Sequence, residues 1–128
     1  MVRPAPLVAI VDDEESVCRA LSRLLRAAGF AVEAHASGED FLRSVALRPP
    51  DCAVLDLRMP HVGGLDVLRA LRHAASPVPA LILTGDDSPG SRAQASAYGA
   101  HAYLRKPVDE AVLIKAIHGA LRGRVAEA

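Results

Sequence analysis

Four short stretches of this chain set polar side chains directly after apolar runs. They are Val11-Asp12-Asp13, Leu55-Asp56 followed by Leu57-Arg58-Met59-Pro60, Leu83-Thr84-Gly85, and Leu104-Arg105-Lys106-Pro107. If the apolar runs are parallel strands of one sheet, their carboxyl ends share a rim, which is where open α/β sheets bind ligands. Asp12, Asp13 and Asp56 would then meet there, with the Lys106 ammonium and the Thr84 hydroxyl beside them. Carboxylates ~4 Å apart repel by about 4 kcal/mol per pair at an effective dielectric of ~20, so three are hard to keep ionised together. A hard divalent cation relieves that conflict, and Mg²⁺ is satisfied by one or two carboxylates, several waters and a phosphate. The expectation is one acidic, metal-binding site with a lysine and a hydroxyl beside it.

The elements needed to place those groups are legible as alternation. Leu7 to Val11 is a continuous apolar run bounded by Pro6 and Asp12, as expected of a strand buried on both faces. Val17, Leu21, Leu24, Leu25 and Ala28 then recur at helical spacing, and Gly29 ends that helix as a left-handed cap. A weaker strand, Ala31 to Ala36, leads to Ser37 as N-cap of a helix with Phe41, Leu42 and Val45 on its apolar face, closed by Pro49-Pro50. Cys52 to Leu55 is a third strand, and Pro60, Gly63 and Gly64 punctuate the loop before a helix from Leu65 to His73. Val78 to Leu83 is the fourth strand, entered through Pro77 and Pro79. The helix after it, Ser91 to Tyr98, has Tyr98 as its one bulky apolar residue and Ser96 where an apolar residue would be expected. It is predicted to be the most mobile helix. Gly99 closes it, Ala102 to Leu104 is the last strand, and Asp109 and Glu110 open a final helix with Val112, Leu113, Ala116, Ile117 and Leu121 facing the core.

Strand and helix alternating five times imply a doubly wound α/β fold: one five-stranded parallel sheet, right-handed crossovers and helices on both faces. The flavodoxin-like strand order 2-1-3-4-5 is expected by analogy, with the ends of strands 1 and 3 at the switch point. The 128 residues, 51% of them hydrophobic, make one domain, 1–128, with a core of about 7–121 and a short tail at 122–128. Fifteen basic side chains balance fifteen acidic ones, so the total charge points to neither nucleic acid nor membrane as partner. No stretch reaches the ~20 apolar residues of a membrane span, and Met1-Val2-Arg3-Pro4-Ala5-Pro6 lacks a signal-peptide segment. A cytoplasmic protein is expected. Cys18 and Cys52 read as buried small hydrophobes, and the five histidines show no ligand pair at helical spacing.

Taken in order, Val11-Asp12-Asp13, Asp56-Leu57-Arg58-Met59-Pro60 with Gly64 eight residues after Asp56, Leu83-Thr84-Gly85, Gly99-Ala100 and Lys106-Pro107 resemble the receiver domain of bacterial two-component response regulators. The wording Ser37-Gly38-Glu39-Asp40-Phe41-Leu42 and Pro50-Asp51-Cys52-Ala53-Val54-Leu55-Asp56 is most similar to the FixJ-like branch. The resemblance covers Leu7 to about Leu121. It implies that Asp56 accepts a phosphoryl group from a sensor histidine kinase as an acyl phosphate, and that the domain is not itself an enzyme. Asp13, Asp56 and the backbone carbonyl of Arg58 would hold Mg²⁺, with Asp12 acting mainly through a bound water. Lys106 would pair with the phosphoryl oxygens, Thr84 would turn toward them, and Tyr103 stands at the family's aromatic switch position. The surface that responds would be the fourth helix, fifth strand and fifth helix. It would meet a downstream protein, an output domain or, after phosphorylation, a second copy, with Arg92, Arg105, Lys115 and Arg122 as its charges.

Each motif also has a plainer reading. Asp12-Asp13-Glu14-Glu15 suits the acidic start of a solvated helix, Asp56 a loop acid, Thr84 a turn hydroxyl, and Tyr103 an ordinary strand aromatic. His61, in the loop after Asp56, is expected to be exposed and without a chemical role. Two rival functions remain: a receiver-like interaction module that is never phosphorylated, and a Mg²⁺-dependent aspartyl-phosphate phosphatase. The phosphatase would want an acid two residues after its nucleophile, where Arg58 stands. The resemblance fits a domain that stands alone and the receiver part of a longer regulator equally. Asp86, two residues after Thr84, departs from the FixJ-like wording, and its opposite charge to Arg58 suggests that the two pair across the pocket mouth.

Overall fold

Apolar strands without a polar face must be covered on both sides, and that requirement organises the molecule. The computed structural model describes residues 4–127, with side chains through Gly123. Met1 to Arg3, part of the expected leaderless start, and Ala128 lie outside the described residues. The elements run β1 (Leu7–Val11), α1 (Glu15–Ala27), β2 (Ala31–His35), α2 (Gly38–Leu47), β3 (Cys52–Leu55), α3 (Gly64–His73), β4 (Ala80–Thr84), α4 (Ser91–Ala97), β5 (Ala102–Arg105) and α5 (Glu110–Glu127). All strand pairs are parallel, in the expected order β2-β1-β3-β4-β5.

The pleat of each strand divides the core in two. From β1, Ala9 and Val11 join Phe41 of α2, Val67, Leu68 and Leu71 of α3 and Ala95 of α4 on one face. Val8 and Ile10 join Cys18 and Leu25 of α1 and Leu113 and Ile117 of α5 on the other. Phe41, Leu25, Leu113 and Ile117 are fully buried, each contributing about 2 kcal/mol of transfer free energy that holds a helix on the sheet. Both cysteines are buried and free, as expected.

Several helix faces differ from their expected positions. In α1 the buried residues are Cys18, Ser22 and Leu25, while Ala28 is exposed. In α5 Val112 is 48% exposed, and the inward face is Leu113, Ile117 and Ala120, with Ala116 and Leu121 packed against the same cluster as expected. In α4 the buried side chains are Ser91 and Ala95, and Ser96 is exposed; it takes no core position. The strand expected from Val78 begins only at Ala80, because Pro77 and Pro79 have no N–H to give a ladder, although the Pro79 carbonyl still accepts from Ala53. Of the short tail expected at 122–128, residues 122–127 are helical, since α5 continues to Glu127.

The helix caps behave as the sequence predicts. The Ser37 hydroxyl accepts from the Asp40 N–H at 3.1 Å. Gly29, at φ 98°, closes α1 with Phe30 N–H returning to the Leu25 carbonyl. Gly64 has a different reason to be glycine. A Cβ there would lie 2.5 Å from the Asp56 carbonyl oxygen, so the loop after Asp56 folds back onto the first turn of α3 only without a side chain.

Candidate functional site

β1 and β3 are neighbours in the sheet, with Val11 in register with Leu55, so the residues that follow each strand emerge side by side at its carboxyl edge. Asp12, Asp13 and Asp56 each offer a carboxylate oxygen within 4.8 Å of the others. Asp12 and Asp56 are buried and Asp13 is exposed, which gives the cluster a floor and an open side. Asp12 is held from several directions. Its carboxylate accepts the Glu14 N–H at 2.9 Å, its N–H donates to the His35 carbonyl at 3.1 Å, and its carbonyl accepts the Cys18 thiol at 3.2 Å.

Lys106 reaches in from the end of β5. Its Nζ lies 2.9 Å from Asp12 Oδ2 and 3.7 Å from Asp56 Oδ1. Burial works against its charge, yet the hydrogen bond that it donates to Asp12 and the nearby carboxylates of Asp56 and Asp12 outweigh that and raise its pKa. Asp56 moves the other way from an ordinary aspartate. Burial pushes its carboxyl up to about 6, Asp12 and Asp13 add repulsion, and Lys106 and a backbone hydrogen bond from Arg58 only partly offset them. One ammonium does not balance three carboxylates. The excess negative charge and all-oxygen donor set are what a small hard dication fits, so the described residues include a cluster suited to a metal ion.

Thr84 ends β4 and is buried, with its hydroxyl occupied by the loop that follows: it accepts from the Asp86 N–H at 3.0 Å and donates to the Asp86 carbonyl at 3.3 Å. The expected pair across the pocket mouth is present, with Arg58 Nε 3.3 Å from Asp86 Oδ2. Arg58 also donates to the Ser88 hydroxyl at 2.5 Å. Both partners are exposed, so the pair is a positional tie worth well under 1 kcal/mol by itself. Tyr103 is half-buried against the core, and its hydroxyl donates to Asp87 Oδ1 at 2.8 Å. Asp87, which sequence reasoning passed over, also meets Arg105 Nε at 3.5 Å. His61 is exposed, as expected, and has a positive φ of 66°.

The family model of the response regulator receiver domain matches residues 8–118. This chain belongs to that family. The receiver is 36% identical to the response regulator protein TodT of Pseudomonas putida over 118 residues, 92% of this chain and 52% of that protein. It is 37% identical over 119 residues to the transcriptional regulatory protein FixJ of Rhizobium meliloti, covering 93% of this chain and 58% of that one, which bears out the FixJ-like wording. A receiver protein of Burkholderia phymatum superimposes with a TM-score of 0.79 at 42% identity, over 91% of this chain and 94% of the other. The receiver spans about half the length of the curated relatives it matches. It is a phosphoacceptor signalling domain with the expected doubly wound fold. No helix among the described residues is long and apolar enough to cross a membrane.

Proposed function

We propose that this receiver takes a phosphoryl group from the phosphohistidine of a sensor histidine kinase onto Asp56 and thereby changes the α4–β5–α5 face. The observation that supports it most is the meeting of Asp12, Asp13 and Asp56 with Lys106 at one buried-to-open edge. An ionised Asp56 oxygen attacks phosphorus, the phosphorus–nitrogen bond breaks, and the departing imidazole nitrogen keeps the electron pair and takes a proton. The product is an acyl phosphate. Mg²⁺ held by Asp13, Asp56 and the Arg58 backbone carbonyl, with Asp12 acting through water, would neutralise the carboxylates and the phosphoryl charge. Lys106 is placed to exchange its carboxylate partners for a phosphoryl oxygen, which keeps the incoming group beside Asp56.

The Thr84 hydroxyl would leave the Asp86 backbone for a phosphoryl oxygen, moving the loop and releasing Tyr103. The phosphoryl group thus favours one of two arrangements by differential contact. The changed face would meet a downstream protein or output domain, or a second phosphorylated copy, with no direct contact to nucleic acid. Asp56 is modified and restored in each cycle, so the domain carries a signal and does not act as an enzyme. A cytoplasmic site of action follows from a kinase donor of this kind.

Incubation with acetyl phosphate and Mg²⁺, followed by intact mass, tests the reading. One phosphoryl adduct per chain is expected, and no adduct on the Asp56→Asn variant. A protein that stays unmodified would point to an interaction module that is never phosphorylated, and steady release of phosphate without an adduct would point to a phosphatase. The Arg58–Asp86 tie joins the loop after Asp56 to the loop after Thr84, so Arg58→Ala and Asp86→Ala are each expected to change the dephosphorylation half-life by up to about threefold, consistent with a few tenths of a kcal/mol. Unchanged half-lives in both would remove that role for the pair.

A further inference from the structure

Asp86 and Asp87 stand next to each other in the loop after β4, and their side chains are fastened to opposite neighbours. Asp86 is held toward the loop after β3 by Arg58, while Asp87 is held toward β5. One Asp87 oxygen accepts the Tyr103 hydroxyl at 2.8 Å and the other lies 3.5 Å from Arg105 Nε. Tyr103 is held on its other side as well. The Arg92 guanidinium sits 4.6 Å from its ring centroid and reaches its carbonyl at 3.5 Å, so the ring is clamped between α4 and the loop.

The consequence lies in how these contacts join. Thr84 pairs with Arg105 across the β4–β5 ladder, and both capacities of the Thr84 hydroxyl are spent on the Asp86 backbone. Freeing that hydroxyl takes its partner from the Asp86 N–H and carbonyl and so favours movement of the loop there, and Asp87 is the next residue. Any such move pulls on an anchor that ends on Tyr103 and Arg105. The Tyr103 hydroxyl donates to a carboxylate at 2.8 Å, so the bond is charge-assisted and stronger than one between neutral groups.

We propose that Asp87 is a positioning residue that holds the Thr84 loop and Tyr103 together in the resting arrangement, so that loop and aromatic ring release as one unit. The proposal rests on the switching role given above to Thr84 and Tyr103. Asp87 touches neither the phosphoryl group nor the carboxylate cluster. Its effect is on the equilibrium between the two arrangements, and a ligand that selects the second has to oppose the Asp87 contacts.

The test is titration of the full chain with beryllofluoride and Mg²⁺, followed by amide signals, for the parent, Asp87→Asn, Tyr103→Phe and the double variant. Asp87→Asn weakens the anchor with little change of shape, and Tyr103→Phe removes only the hydroxyl. Each is expected to bind beryllofluoride about fivefold tighter, with the free protein's signals for residues 84–106 displaced toward their bound positions. The double variant is expected to gain less than the sum of the two single gains, because both act on the Tyr103–Asp87 hydrogen bond. Equal or weaker beryllofluoride affinity in both single variants would overturn the proposal, and so would additive gains. A parent protein that binds no beryllofluoride would instead defeat the phosphoacceptor reading itself. A purely structural role for Asp87 would lower thermal stability and leave the affinity and the free-state signals where they are.

Discussion

Replacing Asp56 by asparagine is expected to abolish phosphoryl uptake and, in metal-free solution at pH 7, to make the protein more stable by about 2 kcal/mol. The two effects have one cause. A carboxyl whose pKa rises from 3.8 to about 6 on folding is one that the folded chain resists ionising. Between those values the folded state holds a proton that the unfolded chain has released, so stability falls as pH rises through this window and stays lower above it. A shift of ~2 units corresponds to nearly 3 kcal/mol at most, and the open side of the cluster reduces it. Asparagine keeps the shape and removes the charge. Urea unfolding from pH 4 to pH 8 with a chelator present should therefore show a downward slope for the parent that is absent from the variant. Parallel curves for the two proteins would mean that Asp56 is not under electrostatic pressure. Adding Mg²⁺ is expected to stabilise the parent more than the variant, since the dication removes the repulsion that asparagine has already removed.

The second large effect is expected at Lys106. Its ammonium is the close cation of a buried carboxylate, 2.9 Å from an Asp12 that is 3% exposed. Lys106→Met retains most of the side-chain volume but leaves Asp12 and Asp56 without that partner. Breaking such a pair from one side costs about 3 kcal/mol, because the remaining charge stays buried. The loss should be largest at pH 7 and shrink toward pH 4, as the stranded carboxylates take up protons. Phosphoryl uptake from acetyl phosphate should also slow by about 100-fold, the scale on which losing a preorganised charge at a reacting group is felt. Denaturant midpoints at the two pH values and the rate of adduct formation check both statements. A variant as stable as the parent at pH 7 would show that Lys106 is dispensable to the cluster.

The sequence carries the site more clearly than it carries the helix surfaces around it. Asp12, Asp56, Thr84 and Lys106 each follow an apolar run, and such runs have one physical explanation, strands covered on both faces. Their carboxyl ends therefore had to converge. The Arg58–Asp86 pair was also readable, because two opposite charges follow strands that lie side by side. Helix faces were less certain because small residues take either environment. Ser22 and Ala95 are buried while Ala28 and Val112 are exposed, and no periodic count separates these when the true stripe is one residue away.

Asp87 was hidden for a different reason. Its meaning depends on Tyr103, sixteen residues later in the chain, and loop conformation rather than pattern brings the two together. The Glu33–His35 contact at 2.5 Å, with the Ser44 hydroxyl 3.4 Å from the same Glu33 oxygen, was likewise invisible. A polar pair on edge strand β2 leaves no signal beyond two polar residues at alternate positions.

The most direct measurement locates the modified residue. Protein treated with acetyl phosphate and Mg²⁺ can be reduced with borohydride, which converts an aspartyl phosphate to homoserine, and then digested and sequenced by tandem mass spectrometry. Homoserine in place of aspartate at position 56, and at no other acidic position, is the predicted result. Homoserine at position 12 or 13, or at none of the three, would contradict the assignment of Asp56 as the phosphoacceptor.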